Sequence, residues 1–122
     1  MIIEVLTQRD YAERFLVKVG QQIMYVKVDE IAYFFSDSSL TFFRTHKNQK
    51  HLVDYTLDQL DNILHPKHFF RINRKMIVRV ESIRKVESYF NSRLILDVNP
   101  KIDFEAVVSR DRVKDFKTWL GA

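Results

Sequence analysis

The chain has 122 residues, 46% of them hydrophobic, a formal net charge of +4, ten Phe, five Tyr and one Trp, which is one domain's worth of chain with enough apolar bulk for a core. It has no Cys, which excludes disulfides, thiolate chemistry and Cys-based zinc sites. No run approaches the roughly 18 apolar residues of a membrane span, and Met1-Ile2-Ile3-Glu4 lacks the basic-then-apolar order of a signal peptide, so no membrane partner and a cytoplasmic location are expected.

Residues 1–13 read as a leader or linker remnant, and 14–121 as the domain. Arg14-Phe15-Leu16-Val17-Lys18-Val19 and Gln22-Ile23-Met24-Tyr25-Val26-Lys27-Val28 flank Gly20-Gln21, which predicts a hairpin with Gly20 at positive φ. Asp29-Glu30 breaks the pattern. Ile31 to Phe35 is a short apolar strand, and Ser36-Asp37-Ser38-Ser39 reads as a loop. Leu40 to Thr45 is strand-like, His46 to Lys50 is a turn, and His51-Leu52-Val53 begins the return.

The period then changes. Leu57, Leu60, Ile63 and Leu64 share a helical face, Thr56 with Gln59 forms a capping-box pattern, and His65-Pro66 ends the helix. Strands are predicted around Phe69 to Arg71, Met76 to Val80, Ile83 to Val86, Arg93 to Val98 and Ile102 to Val108, with Asn99-Pro100 as a turn. Ser109 is placed as the cap of a last helix bearing Val113, Phe116 and Leu120 on one face, with Gly121 just past its end. The expected fold is mainly β: antiparallel sheets with two short helices. It is not the alternating strand–helix order of a doubly wound nucleotide-binding fold.

Little in this chain suggests an enzyme or a cofactor. His65 and His68 have a three-residue spacing broken by Pro66, and His46 and His51 flank a turn, so no metal site is expected. Asp54, Asp58 and Asp61 lie at or near a helix start, where carboxylates favour the dipole, and read as surface charges. No glycine-rich phosphate loop exists, and no Ser sits in a nucleophile elbow.

One stretch is less ordinary. In Phe69-Phe70-Arg71-Ile72-Asn73-Arg74-Lys75-Met76-Ile77-Val78, strand parity places Ile72, Met76, Val78 and Val80 toward the core and Arg71, Asn73, Lys75 and Arg79 away from it. Arg74 would be buried in a regular strand, and a buried unpaired guanidinium is costly. The chain is therefore expected to leave the strand near Asn73-Arg74 and return near Met76, presenting a basic loop. Asn and Arg are also the side chains that read adenine and guanine edges with two hydrogen bonds. The alternative is a solvated charge cluster. A second segment, Ser36 to Thr41, offers small hydroxyls. A third, Ser109-Arg110-Asp111-Arg112, puts cations at a helix start, against the dipole but well placed for phosphate. Pairing of Arg112 with Asp115 is the plainer alternative.

Four motifs in order resemble the LytTR domains, the DNA-binding output modules of LytR/AlgR-type bacterial response regulators. Phe69 to Val78 is similar to the family's "FFRIHRSYIVN", Asp29 to Phe35 to "DEIIYIEA", Asp54 to Leu60 to the "SLKELE" helix, and Val107 to Arg110 to "IPVSRRYL". The chain departs from these patterns at Asn73 for His, Ser36 for the acid of "IEA", Asp111 for the second Arg of "SRRY", and Leu40-Thr41 for Asn-Tyr. The resemblance implies elongated antiparallel sheets that read double-stranded DNA through loops. It implies contacts from Ser39 and Thr41, from Arg71, Asn73, Arg74 and Lys75, and from Arg110 and Arg112. It also implies direct-repeat sites, a homodimer on DNA and a receiver domain in a longer chain. Among these residues, Asn73 and Arg74 are expected to specify sequence, and Arg110 and Arg112 to position the domain on phosphates. The competing reading is a β-rich protein-interaction module with incidental basic loops; a nuclease-like enzyme is a third.

Overall fold

The computed structural model describes residues 10–121. The strands are β1 (Arg14–Val19), β2 (Gln22–Lys27), β3 (Ile31–Asp37), β4 (Leu40–Thr45), β5 (Lys50–Val53), β6 (Phe69–Asn73), β7 (Met76–Arg79), β8 (Ile83–Tyr89), β9 (Arg93–Val98) and β10 (Ala106–Val108); the helices are α1 (Leu57–Ile63) and α2 (Val113–Leu120). They form a two-stranded sheet β1-β2, a five-stranded sheet β5-β4-β3-β7-β6 and a three-stranded sheet β10-β9-β8, all antiparallel. The mainly β architecture with two short helices is as expected. No helix among the described residues is long and apolar enough to cross a membrane.

The five-stranded sheet is covered on both faces. One face packs Phe34, Phe43, Phe69 and Ile77 against Phe15 and Val17 of the hairpin and Leu57, Leu60 and Leu64 of the α1 segment. The other packs Tyr33, Phe35, Ile72, Met76 and Val78 against Leu96 and Val98 of β9, Val108 of β10 and Phe116 of α2. A strand buried on both sides has no polar face to alternate with. That accounts for the unbroken apolar runs of β3 and β7. Strand parity located Ile72, Met76 and Val78 correctly, but Ile77 is just as buried, on the opposite face.

Local chemistry sets the element ends. Gly20 turns the first hairpin at φ 61°. Both capping-box bonds of α1 form, Gln59 N to Thr56 Oγ1 at 3.1 Å and Thr56 N to Gln59 Oε1 at 2.9 Å. The loop expected over Ser36–Ser39 is shorter: β3 runs to Asp37, and Ser38 and Ser39 alone make the turn, both at positive φ. Serine hides such a hairpin turn, because its usual marker is Asn-Gly. The strand expected over 102–108 shrinks to β10, which pairs with Leu94 to Leu96 of β9. The Tyr33 hydroxyl donates to the Pro100 carbonyl at 2.9 Å and so anchors the turn at Asn99-Pro100 to the central sheet.

The last helix starts later than the sequence suggests. Arg110–Arg112 is a 3₁₀ turn, α2 begins at Val113, and the Ser109 side chain makes no cap. Its hydroxyl instead approaches the Ile72 carbonyl at 3.4 Å. Trp119 Nε1 donates to the Pro66 carbonyl at 2.8 Å, and Phe70 packs on Phe116 and Trp119, so α2 is locked onto the outer edge of β6. Residues 1–9 of the expected leader lie outside the described residues. From Asp10 onward the chain joins the domain: Ala12 N donates to the Ile63 carbonyl and Tyr11 packs on His65.

Candidate nucleic-acid interface

The three segments singled out by sequence lie together on one scaffold centred on the β6–β7 turn. Ser36 N donates to the Lys75 carbonyl at 3.0 Å, which ties the first segment to the second. Ser109 N donates to the Ile72 carbonyl at 3.0 Å, and Arg112 Nη1 to the Arg71 carbonyl at 3.2 Å, which tie in the third. β6 is an edge strand, so its outward carbonyls need partners. The segment from β10 into α2 supplies them.

The turn itself is built as the parity argument requires. β6 ends at Asn73, Arg74 and Lys75 turn, and β7 starts at Met76. The register slips between Arg71 and Asn73, which marks a bulge at Ile72. Arg74 and Lys75 are exposed, and their side chains make no hydrogen bond or ion pair among the described residues. Arg110 is equally exposed and unpaired there. These three cations are available to an anionic partner.

Arg71 is not. Its side chain is only 14% exposed and all three of its nitrogens donate. Nη1 pairs with Asp58 and, at 3.0 Å, with Asp61; Nε donates to the Asn73 carbonyl at 3.2 Å and Nη2 to the Arg74 carbonyl at 2.9 Å. Burial by itself would favour the neutral guanidine, but hydrogen bonds and charge from the two aspartates outweigh it and raise the Arg71 pKa. The same contact, first through its hydrogen bond and then its charge, holds Asp58 below the usual aspartate value. Asp58 and Asp61 are thus more than helix-surface charges: one α-helical turn apart, they clasp the arginine that carries the basic turn. Their i, i+3 spacing was the sequence signal, and it lacked only the partner.

Asn73 is also engaged. Its Nδ2 donates to the Val107 carbonyl at 2.7 Å and its Oδ1 accepts from Lys75 N at 2.7 Å. The amide that was expected to read a base is occupied on both sides by the domain's own backbone. Arg112 is half-buried against Arg71, with Asp111 exposed beside it. Ser39 lies exposed in its two-residue turn, but Thr41 is 8% exposed, within β4 and paired across to Ser36 and Val53. Thr41 therefore presents much less surface than Ser39.

Phe104 belongs to the alternating run Ile102, Phe104, Ala106, Val108, which reads as strand and carries no hint of a site. It sits in the connection between β9 and β10, at the rim of a hollow of about 420 Å³ that Asn73, Arg74, Lys75, Ser109 and Arg112 also line. Its alternation with Ala106 and Val108 suggests an inward strand position, but the strand forms only from Ala106 and leaves Phe104 partly exposed.

Residues 21–121 match the family model described as the LytTr DNA-binding domain. The chain is 32% identical over 102 residues to the transcriptional regulatory protein YpdB of Escherichia coli K12, covering 84% of this chain and 41% of that protein. It is 26% identical over 105 residues to the transcriptional regulatory protein LytR of Staphylococcus aureus N315, covering 86% of this chain and 42% of that one. It therefore spans about two fifths of the length of these curated relatives. Among solved structures, a LytTr DNA-binding domain from a Bacillus cereus response regulator superposes with a TM-score of 0.78 at 19% identity, covering 90% of this chain and 98% of that one. With its three sheets, its ordered motifs and a family match over most of its length, the chain belongs to the LytTr DNA-binding domain family.

Proposed function

We propose that this domain binds double-stranded DNA sequence-specifically and is the output module of a cytoplasmic transcription regulator, joined to a receiver domain in the whole protein and acting as a homodimer on direct repeats. The observation that carries the reading is the β6–β7 turn. It presents Arg74 and Lys75 unpaired from a backbone held by Arg71 and Asn73, with Arg110 exposed nearby. A side chain on a fixed turn can keep its register against a base edge, and guanine O6 and N7 are the acceptors an arginine fork fits. Arg74 is the base reader in this account. Lys75, Arg110 and Arg112 position the domain on phosphates, and Ser39 adds a hydroxyl. Arg71 and Asn73 belong to the support of the turn rather than to the contact itself. No catalytic step is assigned.

Selection of bound sequences from random duplex DNA tests the reading. An enriched direct repeat is expected; recovery of unbiased sequence overturns it. One feature favours a protein-interaction module instead: Leu16, Ile23 and Tyr25 stand exposed on the outer face of the first hairpin. The same selection separates the two, because that module enriches no sequence.

A further inference from the structure

Phe104 is an apolar ring beside the basic turn. It is 38% exposed. One side packs on Phe35, with ring centroids 5.9 Å apart, and Phe35 in turn stacks on Phe42 at 5.7 Å. The ring is therefore held from behind by two more rings and is not a loose loop side chain. Two hollows flank it. The first is the 420 Å³ hollow shared with Arg74, and the second, about 390 Å³, is shared with Ser36 and Arg44; Lys75 lines both. Phe104 is thus the ridge between them, beside the turn that carries the proposed base reader.

The neighbouring charges limit what can meet this ridge. Asp103 precedes Phe104 and Glu105 follows it, both exposed, and Glu105 accepts a hydrogen bond from the Tyr89 hydroxyl. Cations line the flanking hollows, Arg74, Lys75 and Arg112 on one side and Lys75, Arg44 and Lys50 on the other, and these are the groups that draw phosphate. The ring itself, with a carboxylate on either side of it in the chain, offers phosphate nothing and suits an uncharged base edge. In the major groove the one apolar group that a base edge presents is the 5-methyl of thymine, which pairs with apolar side chains such as Phe. Leaving the ring in water costs free energy that burial against a methyl recovers.

We propose that Phe104 forms an apolar subsite for a thymine 5-methyl group next to the base read by Arg74. This rests on the reading of the domain as a sequence-specific DNA binder and adds a second specificity element to it. The ring excludes cytosine at that position by offering the methyl a partner and the cytosine amino group none, and the ring's support on Phe35 fixes its height above the turn.

The test deletes the methyl without disturbing the base pair. In the duplex that selection yields, each thymine is replaced in turn by deoxyuridine, and the 122-residue chain is titrated against every version. One substitution should weaken wild-type binding about fourfold, the ratio that burying a single methyl gives. Phe104→Ala should bind the methylated and unmethylated duplexes alike, with affinity near that of wild type on the unmethylated one. Phe104→Leu, which keeps an apolar surface over Phe35, should restore most of the discrimination and shows that loss in the alanine variant is not loss of fold. The proposal is overturned if wild type binds its selected duplex specifically but no thymine is sensitive, or if Phe104→Ala keeps the full sensitivity. Equal binding to selected and scrambled duplexes would overturn the parent reading itself, and this subsite with it.

Discussion

The Asn73 Nδ2 donates to the Val107 carbonyl at 2.7 Å, and this bond joins the edge strands of two separate sheets, β6 and β10. The same side chain accepts from Lys75 N, so one amide both fastens the sheets and closes the basic turn. Replacing it with Ala leaves a donor–acceptor pair unmade on each side. Asn73→Ala should lower the stability of the domain by about 1–3 kcal/mol. Chemical denaturation checks this; an unchanged midpoint would mean that water replaces both bonds at no cost.

Arg74 and Arg110 should respond differently to truncation. Arg74→Ala is expected to cost about 1–3 kcal/mol on the selected duplex and little on scrambled DNA, collapsing the ratio between them. Arg110→Ala should weaken both by a similar factor and make the salt dependence shallower by about one phosphate contact, a slope change of about 0.9. Titrations against both duplexes at two salt concentrations decide. Should Arg110→Ala destroy the ratio while Arg74→Ala spares it, the two roles are exchanged.

The Arg71 clasp predicts a pH effect of known sign. Asp58 has its pKa lowered in the folded state by the Arg71 hydrogen bond and charge. A depressed carboxylate contributes stability that is present above its unfolded pKa, about 4, and is lost as the pH falls through the lower folded value. Acid unfolding of wild type should therefore carry a contribution below about pH 4 that Asp58→Asn removes. Because Asp58 is solvent-exposed, added salt should shrink the difference. A difference that persists in acid, below the folded pKa of Asp58, and is insensitive to salt would point to a packing role instead.

Ser38 and Ser39 adopt φ of 51° and 67°, the left-handed region in which a side chain is strained. Neither site needs a serine for the backbone's sake. Ser38→Asn combined with Ser39→Gly supplies the residues this two-residue turn prefers and should stabilise the domain by about 0.5–1 kcal/mol. Binding is the separate readout. A variant that is more stable yet binds the selected duplex less tightly assigns the Ser39 hydroxyl to the contact; unchanged affinity removes Ser39 from it.

Much of this molecule was determined by the sequence alone, wherever the deciding interaction is local. Gly20 at a positive φ, the Thr56–Gln59 capping box, the stop before Pro66 and the exit from the strand at Arg74 each depend on neighbours within about one helical turn or one strand repeat. The order of the four motifs was legible for the same reason. What only the tertiary structure decided is which polar groups are already spent. Arg71 and Arg74 are the same residue type three positions apart, yet Asp58 and Asp61, 13 and 10 residues away, and two turn carbonyls engage all three side-chain nitrogens of Arg71. Asn73 finds its acceptor 34 residues away and Arg112 its acceptor 41 residues away. Thr41 is mostly covered within β4, and Phe104, which alternation places on the inner side of a strand, is left partly exposed because the strand pairs only from Ala106 onward. A hydrogen bond needs its partner within about 3 Å, and which carbonyl or carboxylate arrives at that distance is set by the packing of sheets on sheets, which a local pattern does not contain.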